Sequence, residues 1–338
     1  MITEFSTGIT LKRIDYRTIL SSNTLKLLIA LCVIGSLAYF NRIELDDLSA
    51  LGETWPWLLG AFLLMLPPCL IVSYRFKLVL LSQGINVPFR LALRWTMVGY
   101  FFDLAMPSSN GGDIVKVGYV LGYVGAGPRT RAILAVGFDR VIGMLGLFLL
   151  ALTVGAIGWD ILESMPGRNL ILFLILTLTI FPLLLLRVIG SRKIYHNPDL
   201  NRWLDSHKWG RWLRQIVGSF NAVREDPLTV IMTLMLSMLN HVFWCSSLLL
   251  IAFATGNVIP PINGFVVFPL AIFSNIFGVA GGFGFGTAGF DLILSKLLSV
   301  QNGALIGLLF QTLSAFSRLF GLPFYLQLNK THDQKSHF

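Results

Sequence analysis

Six stretches of this chain, at residues 24–40, 54–74, 132–157, 168–189, 228–254 and 303–328, are apolar over about the length a helix needs to cross a bilayer. Hydrocarbon offers no water to bare N–H and C=O groups, so such continuous stretches have only the helix open to them. The expected fold is an all-α, polytopic membrane protein. Composition agrees: of 338 residues 55% are apolar and 13% charged, about half the charged share of a soluble domain. A cytosolic enzyme, a nucleic-acid binder and a disordered chain are excluded on that ground. The formal charge of +9 fits basic cytoplasmic loops against anionic headgroups. Cys32, Cys69 and Cys245 lie in apolar runs without paired spacing and imply neither metal nor disulfide. Residues 1–23 mix polar and charged side chains, and no cleaved signal peptide is expected.

Two further apolar regions, 91–124 and 263–300, are broken midway by Pro, Gly, Ser and Asn. Orientation decides what they are. Lys12, Arg13 and Arg17 place the N-terminus inside; Glu44, Asp46, Asp47 and Glu53 mark an external loop at 41–53; Arg75, Lys77, Arg90 and Arg94 return the chain inside. Arg129 and Arg131 precede the third span and Asp160 and Glu163 follow it, so region 91–124 begins and ends in the cytoplasm. Each arm has about 15 residues, reaching roughly 22 Å, short of a crossing. A re-entrant helical hairpin results, with its tip at residues 106–113 (MPSSNGGD).

The basic loop 190–227 is cytoplasmic by the same rule, and Lys330 and Lys335 place the C-terminal tail inside. Region 263–300 then starts and ends outside, a second hairpin from the opposite face with its tip at residues 281–289 (GGFGFGTAG). Span, hairpin, span thus occurs twice in opposite senses, the pattern of an inverted-repeat transporter whose interrupted segments mark the substrate site. The plainer alternative is two pairs of short spans joined by turns. Between spans four and five, residues 200–224 interleave Trp203, Trp209 and Trp212 with Arg202, Lys208, Arg211 and Arg214, as an amphipathic helix lying in the interface would.

Non-helical backbone at membrane depth is tolerated only beside protein or a wet cavity, so the tips should line one. In the first tip, Pro107, Ser108, Asn110, Gly111 and Gly112 open a helix whose free N–H groups suit an anion such as a lipid phosphate. Asp113 in its first turn serves either as an ordinary helix-start carboxylate or as a substrate or ion contact. In the second tip, Gly284, Gly286 and Gly289 match G-x-G-x-x-G without the strand a dinucleotide site requires, so with Thr287 they read as a tight intramembrane turn.

Ionisable residues inside spans are costly and mark function by default. Asp139 and Arg140 lie in the third span and Arg318 in the sixth; Asp103 and Lys116 flank the first tip and Asp291 follows the second. Successive helix residues point about 100° apart, so Asp139 and Arg140 serve different partners. Arg140 or Arg318 can clamp a phosphate, and Asp139 is expected to pair with Arg318 or Lys116. A purely structural interhelical pair is the alternative. His241, beside Asn240, is either a proton carrier or a structural hydrogen-bonding residue.

Three segments, GYFFDLAMPSSNGGDIVK at 99–116, FDRVIG at 138–143 and GFGFGTA at 282–288, resemble the signatures of the lysylphosphatidylglycerol synthase transmembrane-region family. The resemblance implies a flippase-like integral membrane protein that translocates phospholipids or polyprenyl-phosphate carriers. The aminoacyltransferase domain of the bifunctional members has no counterpart in this sequence. Asp103 stands where the family usually has Asn, and Gly289 where many members have Glu.

The expected function is transport of an anionic phospholipid or polyprenyl-phosphate-linked lipid across the cytoplasmic (inner) membrane, both termini inside, its headgroup held between the tips. No cofactor, metal or nucleic-acid partner is expected; membrane lipids are the partners, and a homo-oligomer is compatible with this reading. No P-loop is present, so transport would run on an ion gradient or as a scramblase. The alternatives are a membrane-embedded lipid glycosyl- or phosphotransferase, for which no nucleophile–base pair or metal-ligand spacing is visible, and a small-solute permease.

Overall fold

The structure is a computed structural model and describes residues 45–105, 111–125, 127, 129–165, 167–189, 202, 206, 218, 226–278 and 282–333. The expected span at 24–40, the tip residues Pro107, Ser108 and Asn110, and, but for isolated positions, the interfacial segment 200–224 lie outside them. The described residues are helical throughout apart from turns and short connections, an all-α polytopic membrane protein.

Helix α1 (Leu45–Leu64) leads into α2 (Pro67–Ser82). Pro67 and Pro68 lack N–H groups, so the helix cannot run through them. Met65 and Leu66 reach back only three residues, to the carbonyls of Phe62 and Leu63, and α2 restarts with proline in its first turn. Residues 52–82 together form one stretch long and apolar enough to cross a membrane. The expected external loop at 41–53 is helical from Leu45, and the second span, expected to end at 74, continues to Ser82. Arg75, expected in a cytoplasmic loop, is therefore inside a helix and 5% exposed.

The first interrupted region forms α3 (Phe89–Ala105) and α4 (Gly111–Val124), packed against each other. At 17 and 14 residues the arms reach about 25 and 21 Å. The close approach is made by glycine: a Cβ on Gly112 would lie 2.8 Å from Asp103 Oδ1 and drive into the Gly99 carbonyl. The second region forms α9 (Pro261–Ser274), a 3-10 turn (Asn275–Phe277) and α10 (Phe285–Leu298). Gly282 and Gly284 there have φ of +124° and +82°, values an L side chain resists.

Between them run α5 (Arg129–Ile157), the short α6 (Trp159–Glu163), α7 (Arg168–Ile189) and α8 (Pro227–Ala254); α11 (Gly303–Leu319) and α12 (Gly321–Asp333) follow. Asp226 caps α8, accepting from Thr229 N at 3.1 Å and Thr229 Oγ1 at 2.5 Å, with Pro227 at the first position. Each interrupted pair touches the helices on either side of it in sequence: α3 meets α2 and α4 meets α5, while α9 meets α8 and α10 meets α11. Two apolar cores result, one around Phe76, Leu80, Trp95 and Phe138, the other around Phe148, Leu248, Phe268 and Phe290.

Candidate functional site

Where the two halves face each other, a cavity of about 270 Å³ opens. The broken α1–α2 helix presents Met65, Cys69, Val72 and Arg75 to it, spaced three or four residues apart and so along one face. From α3 and α4 come Asp103, Asp113 and Lys116; from α5, Asp139 and Arg140; from α11, Arg318. Apolar side chains share the lining, among them Trp244 of α8, Ile272 and Phe273 of α9, Ile276 of the 3-10 turn and Phe310 of α11, with the uncharged polar residues Asn275, Ser314 and Ser317 between them.

The charged groups are organised into pairs and singles. Arg75 Nε donates to Asp139 Oδ1 at 2.7 Å, and Arg75 Nη1 to Ser237 Oγ at 3.0 Å. Arg140 Nη1 donates to Asp113 Oδ2 at 2.8 Å, in a more open position. The neighbours Asp139 and Arg140 thus serve different partners, but the partner of Asp139 is Arg75, neither Arg318 nor Lys116. Hydropathy ends a span at its first arginine, whereas the helix restarted by Pro67 carries Arg75 two turns further and onto α5.

Lys116 and Arg318 have no ion-pair partner among the described residues. Lys116 is 6% exposed, its Nζ standing 5.3 Å from the Phe76 ring centre and 5.9 Å from that of Tyr100. Aromatic faces partly replace water around a buried ammonium. Asp103 lies within electrostatic reach of both cations and accepts the Gly112 N–H at 2.8 Å. The helix start that was expected to offer free N–H groups therefore has the Gly112 donor occupied by this carboxylate.

Four basic side chains, Arg75, Lys116, Arg140 and Arg318, and three carboxyl groups, Asp103, Asp113 and Asp139, share the described lining, a formal excess of one basic group. The neighbouring tip segments 106–110 and 279–281 add no ionisable residue by sequence.

Gly284, Gly286, Thr287 and Asp291 stand apart from this lining. Thr287 Oγ1 donates to Gln311 Oε1 at 2.7 Å, and Gln311 Nε2 donates to Asn275 Oδ1 at 2.9 Å and to the Gly282 carbonyl at 3.0 Å. A Cβ on Gly286 would meet Asn275 Oδ1 at 2.5 Å. These residues shape the turn, and Asn275 carries it to the cavity. Asp291 Oδ1 accepts from Ala304 N at 3.3 Å, at the start of α11. A sequence separation of 13 residues gives no sign of which helix end a carboxylate will meet.

His241 joins the lining from α8, its Nε2 lying 3.0 Å from the Gly143 carbonyl. Asn240 beside it is 4% exposed, and its Oδ1, like His241 Nδ1, has no hydrogen-bond partner among the described residues.

No curated protein matches the chain. At the level of families, residues 23–321 match the lysylphosphatidylglycerol synthase TM region, a stretch that contains every residue lining the cavity, and the chain belongs to that family.

Proposed function

We propose that this protein is a lipid transporter that carries a phospholipid or polyprenyl-phosphate-linked lipid across the membrane, the headgroup occupying the cavity between the two interrupted helix pairs. The observation that carries the reading is the mixed lining of the cavity, four cations and three carboxylates together with apolar side chains, within a shell of membrane-length helices. A phosphate ester on an acyl or prenyl chain combines the same two characters. At about 270 Å³ the space is near the lower end of small-ligand pockets, about 300–1,000 Å³. It holds a headgroup and leaves the chains to the lipid around the bundle.

The arms of α3–α4 and α9–α10, each short of the roughly 30 Å hydrocarbon core, support a re-entrant reading of both pairs. With the positive-inside rule they enter from opposite faces of the cytoplasmic membrane, both termini inside. Arg140 and Arg318 hold the phosphate while Asp113 releases Arg140 to it; the lipid leaves chemically unchanged.

The test is reconstitution into vesicles with a headgroup-labelled phospholipid and a membrane-impermeant quencher. Lipid exchange between leaflets well above protein-free vesicles, with the same lipid recovered intact, is the expected result. Exchange no faster than in protein-free vesicles, or recovery of a covalently altered lipid, overturns the assignment, the latter in favour of a transferase.

A further inference from the structure

Of the three carboxyl groups in the described lining, two are bonded to an arginine: Asp139 to Arg75 and Asp113 to Arg140. Asp103 has no ion-pair partner among the described residues. It is half-buried near the end of α3, beside the interrupted tip, and its Oδ1 accepts the Gly112 N–H. The charged and titratable groups around it come from the elements packed on α3. Helix α4 brings Asp113 and Lys116, α11 brings Arg318, and α2 brings Cys69 and Arg75, the latter already bonded to Asp139; Tyr100 lies on α3 itself. Helix α12 sets Tyr325 against the rings of Phe101 and Phe102 and adds nothing to the lining. Asp103 is thus within electrostatic reach of Lys116 and Arg318 and bonded to neither.

A phosphate that draws on Arg318 makes itself and Asp103 two anions competing for the same cations. Away from water such like charges repel strongly. A proton on Asp103 removes the competitor: the neutral carboxyl keeps an acceptor oxygen for the Gly112 N–H and gains an O–H donor. Proton and phosphate therefore favour each other's binding, by equal factors. A metal cation in the same role would need several oxygen ligands, and no group of three acidic, His or Cys residues gathers among the described residues. Lys116 is the less suitable carrier, because the ring faces of Phe76 and Tyr100 favour its charged form.

We propose that Asp103 is a proton site that couples transport to a pH gradient, one proton travelling with one monoanionic lipid phosphate as a pair of zero net charge. The proposal rests on the lipid-transport reading and adds its driving force.

The experiment places the full-length protein in vesicles holding a trace of phosphatidylglycerol labelled on an acyl chain, with an imposed pH gradient and a membrane-impermeant quencher. The labelled lipid should gather in the leaflet on the alkaline side faster than in protein-free vesicles, by up to about tenfold per pH unit, the limit for one proton per monoanion. A potassium diffusion potential at equal pH should not shift it. Asp103→Asn, which keeps the acceptor for the Gly112 N–H, should lose the asymmetry. Rapid exchange to an even distribution under the gradient by the wild-type protein overturns proton coupling and leaves a lipid transporter standing, and it decides the matter even where the variant fails to insert. Accumulation driven by the potential alone overturns the neutral pairing. Undiminished asymmetry in Asp103→Asn overturns Asp103 as the proton site. Exchange no faster than in protein-free vesicles, with or without a gradient, overturns both this proposal and the lipid reading beneath it.

Discussion

Arg75 and Asp139 form an ion pair at 2.7 Å with both side chains almost wholly removed from solvent. It joins α2 to α5 on one side of the cavity, and Arg75 extends the link to Ser237 of α8. Three helices far apart in sequence are held by one guanidinium.

Removing one member of a buried pair strands the other, at a cost of about 3–5 kcal/mol, whereas an apolar replacement of both is far milder. Arg75→Ala and Asp139→Ala should each lower the thermal midpoint of the detergent-solubilised protein. The double variant Arg75→Met, Asp139→Leu should recover most of the loss. Tryptophan-detected size-exclusion chromatography after heating reads the difference, and additive losses in the double variant would contradict the pairing.

Arg140 occupies a more exposed pair than Arg75, so its loss should be felt in transport more than in folding. Arg140→Ala should slow lipid exchange in reconstituted vesicles by roughly tenfold or more, the worth of a lost charge-assisted contact. Its membrane insertion and thermal midpoint should stay near wild type. Full exchange by this variant would remove Arg140 from the headgroup site.

Gly112→Ala places a methyl group where the Gly99 carbonyl and Asp103 Oδ1 stand. The arms of α3 and α4 must separate, at a cost of about 1–3 kcal/mol for overpacking, and the Asp103 bond to Gly112 N–H is broken. A lower thermal midpoint together with loss of transport is expected. The nearby Gly118, with open space around it, tolerates alanine and serves as the control.

Asp226 lies outside the membrane-spanning segments, and the bonds from Thr229, first from its hydroxyl and then from its N–H, hold the carboxyl below the usual carboxylate range. A carboxyl lowered in the folded state contributes stability above its unfolded value and loses it as pH falls through the folded value. The stability difference between wild type and Asp226→Ala should therefore be full at neutral pH and shrink on acidification below the ordinary carboxylate range. Thermal melts across that range check it; a difference that grows in acid would contradict the cap.

Cysteines introduced near the outer ends of α3 and α4, at Phe89 and Val124, should label from the same side of the membrane in intact vesicles. Labelling from opposite sides would mean that this pair crosses fully.

The segments broken by Pro and Gly were legible because hydropathy and helix-breaking residues act locally, and Phe89–Val124 and Pro261–Leu298 differ by two residues or fewer at each end from the expected bounds. The divergence of Asp139 and Arg140 was equally legible, since 100° per residue is a property of the helix itself. Their partners were not. Arg75 looked like a loop cation because a hydropathy window stops at charge, and only the proline restart at Pro67 hints that the helix goes on. Asn240 gave no signal: an uncharged amide in a span looks the same whether its oxygen is bonded or bare. The placement of Asp291 against α11 depends on packing between elements, which no local rule supplies.

The contact between Gly99 and Gly112 has a mechanical consequence. Two helices in backbone contact have no layer of side chains on which to slide, and the bond from Gly112 N–H to Asp103 pins their longitudinal register beside the tip. The arms of α3 and α4 therefore act as a stiff wedge. The pair meets α2, α5, α11 and α12 along its flanks, so any rearrangement that passes a cargo would tilt the wedge as a unit and leave its two arms together.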